Sequence, residues 1–183
     1  TWHLTDALRI TGGLRYSNES KDGLGQSISP FFFDDPDLLG APILPNIGNI
    51  DFDVLNPSLV IQYDASEDVM LYASYKESFR SGGFNQSAIA PRIAGETFGA
   101  DFIFGKESIT AYEAGLKADL FDNRLRFNAA GFFYDFNDQQ ATAQTNALIA
   151  TQRVVVNVDE ELWGFEFDAL LAVTEGLTLD ATY

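Results

Sequence analysis

Tyr112-Glu113-Ala114-Gly115-Leu116-Lys117-Ala118-Asp119-Leu120 is the stretch that decides the fold. Tyr112, Ala114, Leu116, Ala118 and Leu120 carry no charge, while Glu113, Gly115, Lys117 and Asp119 alternate with them. Successive side chains of an extended chain point to opposite sides, so this spacing predicts a β-strand with one uncharged and one polar face. At ~3.3 Å per residue and a ~40° tilt, the uncharged face stands roughly 20 Å tall, approaching the apolar band of an outer-membrane barrel. The same period also fits a half-buried strand of a soluble sheet.

Other segments repeat the pattern. Trp163, Phe165, Phe167, Ala169, Leu171 and Val173 share one parity, against Gly164, Glu166 and Asp168. Leu55, Pro57, Leu59, Ile61 and Tyr63 stand against Asn56, Ser58, Val60 and Gln62. Leu125, Phe127, Ala129 and Phe133 oppose Arg126, Asn128, Phe132 and Tyr134; aromatics occupy both sides, and Leu125 is expected on the lipid side. Tyr63, Tyr112 and Trp163 lie near the ends of the uncharged faces, where an interfacial aromatic girdle would put them.

Seven strands are expected: Leu8–Ser17, Asp51–Asp64, Val69–Arg80, Ser108–Leu120, Leu125–Asn137, Arg153–Val173 and Leu177–Tyr183. Three connections are tight and polar, at residues 65–68, 121–124 and 174–176. Three are long: Asn18–Ile50, Ser81–Glu107 and Asp138–Gln152. Compact soluble domains mostly use short connections throughout. Outer-membrane barrels place short turns on the periplasmic rim and long loops outside, which is the asymmetry here. The expected class is therefore all-β, an antiparallel transmembrane β-barrel segment of meandering strands.

Composition narrows the function classes. A net charge of -16, with eleven basic residues spread singly, offers no patch for a phosphate backbone and argues against nucleic acid as a partner. No run of eighteen apolar residues exists to form a spanning helix. Mean hydropathy of -0.05 does not oppose a barrel, whose alternate residues face away from lipid. Cysteine is absent, so neither disulfides nor thiolate metal sites arise in this chain. His3 is the only histidine, which leaves a His-based catalytic pair almost no material and points away from an enzyme.

Several segments together resemble the TonB-dependent outer-membrane receptors. They are Gly12-Gly13-Leu14-Arg15-Tyr16, Leu71–Asn85 with its Arg80-Ser81-Gly82-Gly83-Phe84-Asn85 ending, Glu107–Ala118, Asp122–Ala130, and Gly164-Phe165-Glu166. They occur in the family's order and cover most of the chain outside the long connections. The resemblance implies a part of a 22-stranded barrel in the bacterial outer membrane, importing a scarce ligand. Ferric siderophore is the expected ligand, with haem, cobalamin and oligosaccharide as the family's other classes. It further implies an N-terminal plug domain, the remaining barrel strands, the TonB complex and outer-membrane lipid as partners. No plug-like segment is legible, so residues 1–183 are expected to be part of a single barrel domain from its middle-to-late region. A porin-like or adhesive barrel without a plug, and a soluble carbohydrate-binding sandwich, are the competing readings.

Candidate site residues fall in two groups. Arg80, Arg92, Phe98, Phe102 and Phe104 could bind ligand, since aromatics offer contact area and Arg suits an anionic chelate. Packing of loop on loop would explain the same aromatics. Glu113, Lys117, Glu166 and Asp168 are expected to line the lumen, where a water-filled, charge-paired wall is the bland alternative. Asp34-Asp35-Pro36-Asp37 has carboxylates but no EF-hand spacing, so neither a metal nor a resident cofactor is expected.

Overall fold

The computed structural model describes residues 1–23, 48–85, 103–144 and 153–183, and among them every regular element is a strand. In chain order these are β1 (Trp2–His3), β2 (Leu8–Gly23), β3 (Gly48–Asp64), β4 (Val69–Arg80), β5 (Gly83–Phe84), β6 (Ile103–Phe104), β7 (Glu107–Leu120), β8 (Leu125–Gln144), β9 (Arg153–Thr174) and β10 (Leu177–Thr182). Eight of them form one antiparallel sheet in the order β1-β2-β3-β4-β7-β8-β9-β10. β5 and β6 pair separately, Gly83 with Phe104 and Phe84 with Ile103, inside the connection from β4 to β7.

Directly opposed residues of an antiparallel ladder share a face, so the register assigns sides across the whole sheet. Tyr63 opposes Leu8 and Leu71, and Ile61 opposes Ile10 and Ala73. Leu71 opposes Leu116, Leu116 opposes Ala129, and Ala129 opposes Phe167. Leu120 opposes Leu125, and Leu125 opposes Leu171, so Leu125 stands on this uncharged face as expected. The face extends unbroken from β2 to β10.

No second layer covers it among the described residues. Among the described residues only Phe52, Ala118 and Val154 are buried apolar side chains, whereas Leu14, Phe165 and Trp163 are 69%, 62% and 77% exposed. A soluble sandwich would bury such a face against another sheet. An apolar surface this continuous is stable where hydrocarbon is the solvent.

An aromatic row closes the uncharged face toward the long connections. Tyr75 opposes Tyr112, Tyr112 opposes Phe133 and Phe133 opposes Trp163, with ring centroids 5.3 Å apart for the first pair and 6.4 Å for the second. On β2 the row meets Gly12, opposite Leu59, and Tyr16 lies four residues further toward the long connections, opposite Leu55. Beyond the row the same face turns acidic, with Asp53, Glu77, Asp135 and Glu161. The Tyr16 hydroxyl donates to Asp53 Oδ1 at 2.6 Å, and the Tyr75 hydroxyl donates to Glu77. Such rings rest on apolar neighbours and send their hydroxyls to the wet side, as interfacial aromatics do.

The structure corrects the expected elements in two ways. Strands outrun the uncharged pattern: β2 continues to Gly23, β3 begins at Gly48, and β8 runs to Gln144, so much of the connection expected over Asp138–Gln152 is strand. Backbone pairing does not need an apolar face once the ladder leaves hydrocarbon, so these extensions are polar and escape a search by hydrophobic period. The short β1 and the β5–β6 ladder were also not expected, since a two-residue strand carries no period. β8 bends outside the apolar zone, where its register slips between Phe136 and Gln139. Asp138 sits there at a φ of 56°, and its N–H donates to Asp159 Oδ1 at 3.0 Å.

The opposite rim is tight, as expected. Phe121, Asp122 and Asn123 all take left-handed φ values of 58°, 56° and 63° to reverse the chain. Arg124 fastens this turn to the next hairpin by donating to the carbonyls of Ala172 and Val173, at 3.2 and 2.5 Å. Arg9 makes a two-pronged ion pair with Asp64 at 2.6 and 2.8 Å between β2 and the end of β3.

Candidate functional site

The polar face carries the candidate chemistry. Glu113, Lys117, Glu166 and Asp168 all stand on it: Lys117 opposes Asn128 and Asn128 opposes Asp168, while Gly115 opposes Ala130 and Ala130 opposes Glu166. Tyr72, Lys117, Asn128, Glu166, Asp168 and Thr182 line one open recess. Asn128 Nδ2 donates to Asp168 Oδ2 at 2.8 Å, and Arg126 Nε donates to Asp119 Oδ1 at 2.8 Å.

Two glycines shape this wall. Tyr72 lies over Gly115, where an added Cβ would stand 2.8 Å from the ring, and Phe132 lies over Gly164, where the gap would be 2.7 Å. The flattened Tyr72 interacts with the Glu113 carboxylate, with Glu166 and Tyr134 as its next charged or phenolic neighbours. Phe132 stacks on Tyr134 at 5.0 Å. The carboxylates therefore rise from a wall of rings laid over glycines. No group of three metal-ligating side chains forms among the described residues.

Among the described side chains, every cation on the long strands belongs to this wall: Arg9, Arg15, Lys21, Lys76, Arg80, Lys117 and Arg126. Among those described side chains none stands on the uncharged face. Among the described residues two ion pairs form, Arg9–Asp64 and Arg126–Asp119. Arg80 is exposed at the end of β4 and opposes Glu107 in register without an ion pair to it.

At the rim above Arg80 the chain is held by amide side chains. Lys21 Nζ donates to Ser81 Oγ at 2.5 Å and to the Gly82 carbonyl at 2.8 Å, and lies 5.8 Å from the centre of the Phe52 ring. Gln140 Nε2 donates to the Ser81 carbonyl at 2.9 Å and the Gly105 carbonyl at 3.2 Å. Asn157 Oδ1 accepts from the Gly105 N–H at 2.7 Å. Asn85, buried at 5% exposure, copies a strand: its Nδ2 donates to the Val155 carbonyl at 2.9 Å and its Oδ1 accepts from the Val155 N–H at 2.7 Å. Gly82 is needed because the Phe104 carbonyl occupies the space of a Cβ, and Phe84 packs its ring on Gly23.

Of the ligand-binding candidates, Arg80 and Phe104 are placed, and neither lines the recess of the polar face. Phe104 rests its ring on Gly83, where a Cβ would be 2.8 Å away, so its described contacts are with its own hairpin. Arg92, Phe98 and Phe102 lie outside the described residues, as do Asp34, Asp35 and Asp37. Lys21, Asn85, Gln140 and Asn157 were missed in the sequence. Only Gly82-Gly83-Phe84-Asn85 carried a signal, two glycines followed by a ring and an amide.

Asn85→Ala should free the Val155 N–H and C=O from their partners. Removing one side of such a buried polar pairing costs about 1–3 kcal/mol. Amide hydrogen exchange at Val155 is expected to speed up without a change deep in β7–β8. Unchanged exchange there would show that Asn85 does not hold the rim.

The family model of the TonB-dependent receptor-like β-barrel matches residues 1–183. Among solved structures, the copper transporter OprC superposes with a TM-score of 0.75 at 18% identity, over 99% of this chain and 26% of its own. The ferric yersiniabactin uptake receptor FyuA from Yersinia pestis gives 0.67 at 24% identity, over 99% and 24%. FpvA of P. aeruginosa, solved with heterologous pyoverdines, gives 0.59 at 17% identity, over 100% and 21%. The chain thus spans about a quarter of the first of these structures, and at such identities they attest the fold. An uncharged face bounded by an aromatic row, a charged wall behind it and a family match along all 183 residues agree: this chain belongs to the TonB-dependent receptor β-barrels of the bacterial outer membrane.

Proposed function

We propose that residues 1–183 are part of one barrel domain of a receptor that imports a scarce ligand, a ferric siderophore, with energy delivered by TonB through a plug domain elsewhere in the protein. The further strands that close the barrel are part of the same proposal. The observation that carries it is the segregation of charge: among the described side chains, seven strand cations stand on the polar face and none on the uncharged one. Ferric chelates are commonly anionic, and exposed Arg80 at the lumen mouth suits them. FyuA and FpvA are named for ferric yersiniabactin and pyoverdine, which supports this ligand class, while the copper transporter marks its chief competitor.

Cells carrying the parent protein as their only receptor of this kind should accumulate siderophore-bound radiolabelled iron, and lose that uptake when TonB is deleted. Equal uptake without TonB would favour a passive barrel. TonB-dependent copper uptake without iron uptake would replace the ligand. Topology has its own test. With the long connections outside, protease added to intact cells should cut within 24–47 or 86–102 and spare 65–68 and 174–176. The reverse pattern would invert the orientation.

A further inference from the structure

The lumen wall is split electrically along its strands. On β2, β3 and β4 it consists mainly of small or neutral side chains, Gly13, Ser17, Asn56, Ser58, Ser74 and Ser78 among them, from which Arg15 and Lys76 rise exposed. On β7, β8 and β9 it presents Glu113, Glu166 and Asp168, with Lys117 there and Arg126 already paired to Asp119. Arg9 is likewise taken by Asp64, and Lys21 by Ser81 and Gly82. Arg15 and Lys76 make no ion pair, and Arg80 continues their line two pleat repeats higher on β4.

The register places these two cations to act together. Lys76 opposes Ser58, Ser58 opposes Gly13, and Arg15 is two residues along from Gly13 on the same face. Two strand spacings and one pleat repeat separate their Cα atoms by about 12 Å. Long side chains on a floor of glycine and serine can both reach a ligand of that width. The nearby acids are Glu19, four residues beyond Arg15 on β2, and Glu113, which Tyr72 engages from β4.

We propose that Arg15 and Lys76 form an anion-attracting strip on the β2–β4 side of the lumen. It would receive the negatively charged groups of the imported ligand and guide them past the acidic β7–β9 wall. This rests on the transport reading for what the strip does, and selects an anionic ligand over neutral oligosaccharide. The strip itself is a statement about local potential and can be measured without knowing the ligand.

The chain has no cysteine, so a single thiol can report that potential. In the full-length receptor, otherwise free of accessible thiols, Ser58→Cys places a probe between the two cations. Its rate with an anionic sulfonate methanethiosulfonate is compared with that of the cationic trimethylammonium reagent. Two cations at about 7–8 Å in water should favour the anionic reagent about fivefold at ~0.1 M salt, and more strongly as salt is lowered. Arg15→Gln with Lys76→Gln should abolish the preference, and Asn128→Cys on the acidic side should prefer the cation. Ser78→Cys serves as a second position should Ser58→Cys fold poorly. Equal rates with both cations present, or a thiol that neither reagent reaches, would overturn the strip. An intact preference in a receptor that takes up no iron would leave the strip standing and remove the siderophore reading.

Discussion

Leu116→Arg should destabilise the parent barrel by about 2–4 kcal/mol, the penalty for a cation at mid-membrane depth. Leu116 lies midway along the uncharged face of β7, opposite Leu71 on one side and Ala129 on the other, so a guanidinium there has no polar neighbour in either adjoining strand. Lys117→Leu should cost far less. Lys117 faces the recess shared with Asn128 and Asp168 and makes no ion pair, so the change removes only a solvated charge. Urea unfolding of the reconstituted parent protein measures the difference. Spin labels at the two positions give an independent reading: oxygen dissolved in lipid should relax the label at 116, and a water-soluble nickel chelate the one at 117. Equal aqueous access at both would mean that β7 does not border lipid.

Gly115→Ala is the second substitution expected to act strongly, through crowding rather than charge. Its Cβ would stand 2.5 Å from the Ala129 carbonyl oxygen and 2.8 Å from the Tyr72 ring. The ring can swing aside; the carbonyl belongs to the β7–β8 ladder and cannot. Overpacking of this kind costs about 1–3 kcal/mol. Adding Tyr72→Ala should recover only the part due to the ring. Gly131→Ala is the matched control, because its Cβ would find nothing nearer than 3.9 Å. That substitution should be neutral, or stabilising by about 0.4–1 kcal/mol through the unfolded chain. Equal losses at the two positions in urea titrations would remove the special role of the Tyr72–Gly115 contact.

The membrane-facing half of this fold is legible from residues alone because hydrocarbon imposes a period on every strand that crosses it. Tyr112–Leu120 and Trp163–Val173 show that period unaided, and the register confirms both as one face. β8 was ambiguous because Phe127 and Phe132 put aromatics on both sides. The structure resolves it: Phe127 packs toward Phe167 on the lipid face, at 6.2 Å, and Phe132 covers Gly164 on the lumen face. The rim was hidden for the opposite reason. Water tolerates any side chain, so the polar ends of β2, β3 and β8 and the amides Asn85, Gln140 and Asn157 obey no repeat. The partners of these amides lie 19 to 70 residues away, a pairing that spacing cannot announce.

The strand order has a consequence for how such a wall can be assembled and revised. Each strand from β1 to β4 and from β7 to β10 lies beside its chain neighbour, and only the β4–β7 ladder steps over an inserted hairpin. Adjacent turns bring these partners together at small loop-closure cost, so the wall can grow one reversal at a time. A pair of strands could be duplicated or deleted without rethreading any other. The detour between Arg80 and Glu107 shows the complementary freedom, since β5 and β6 add a second small ladder there while the wall beneath continues uninterrupted from β4 to β7.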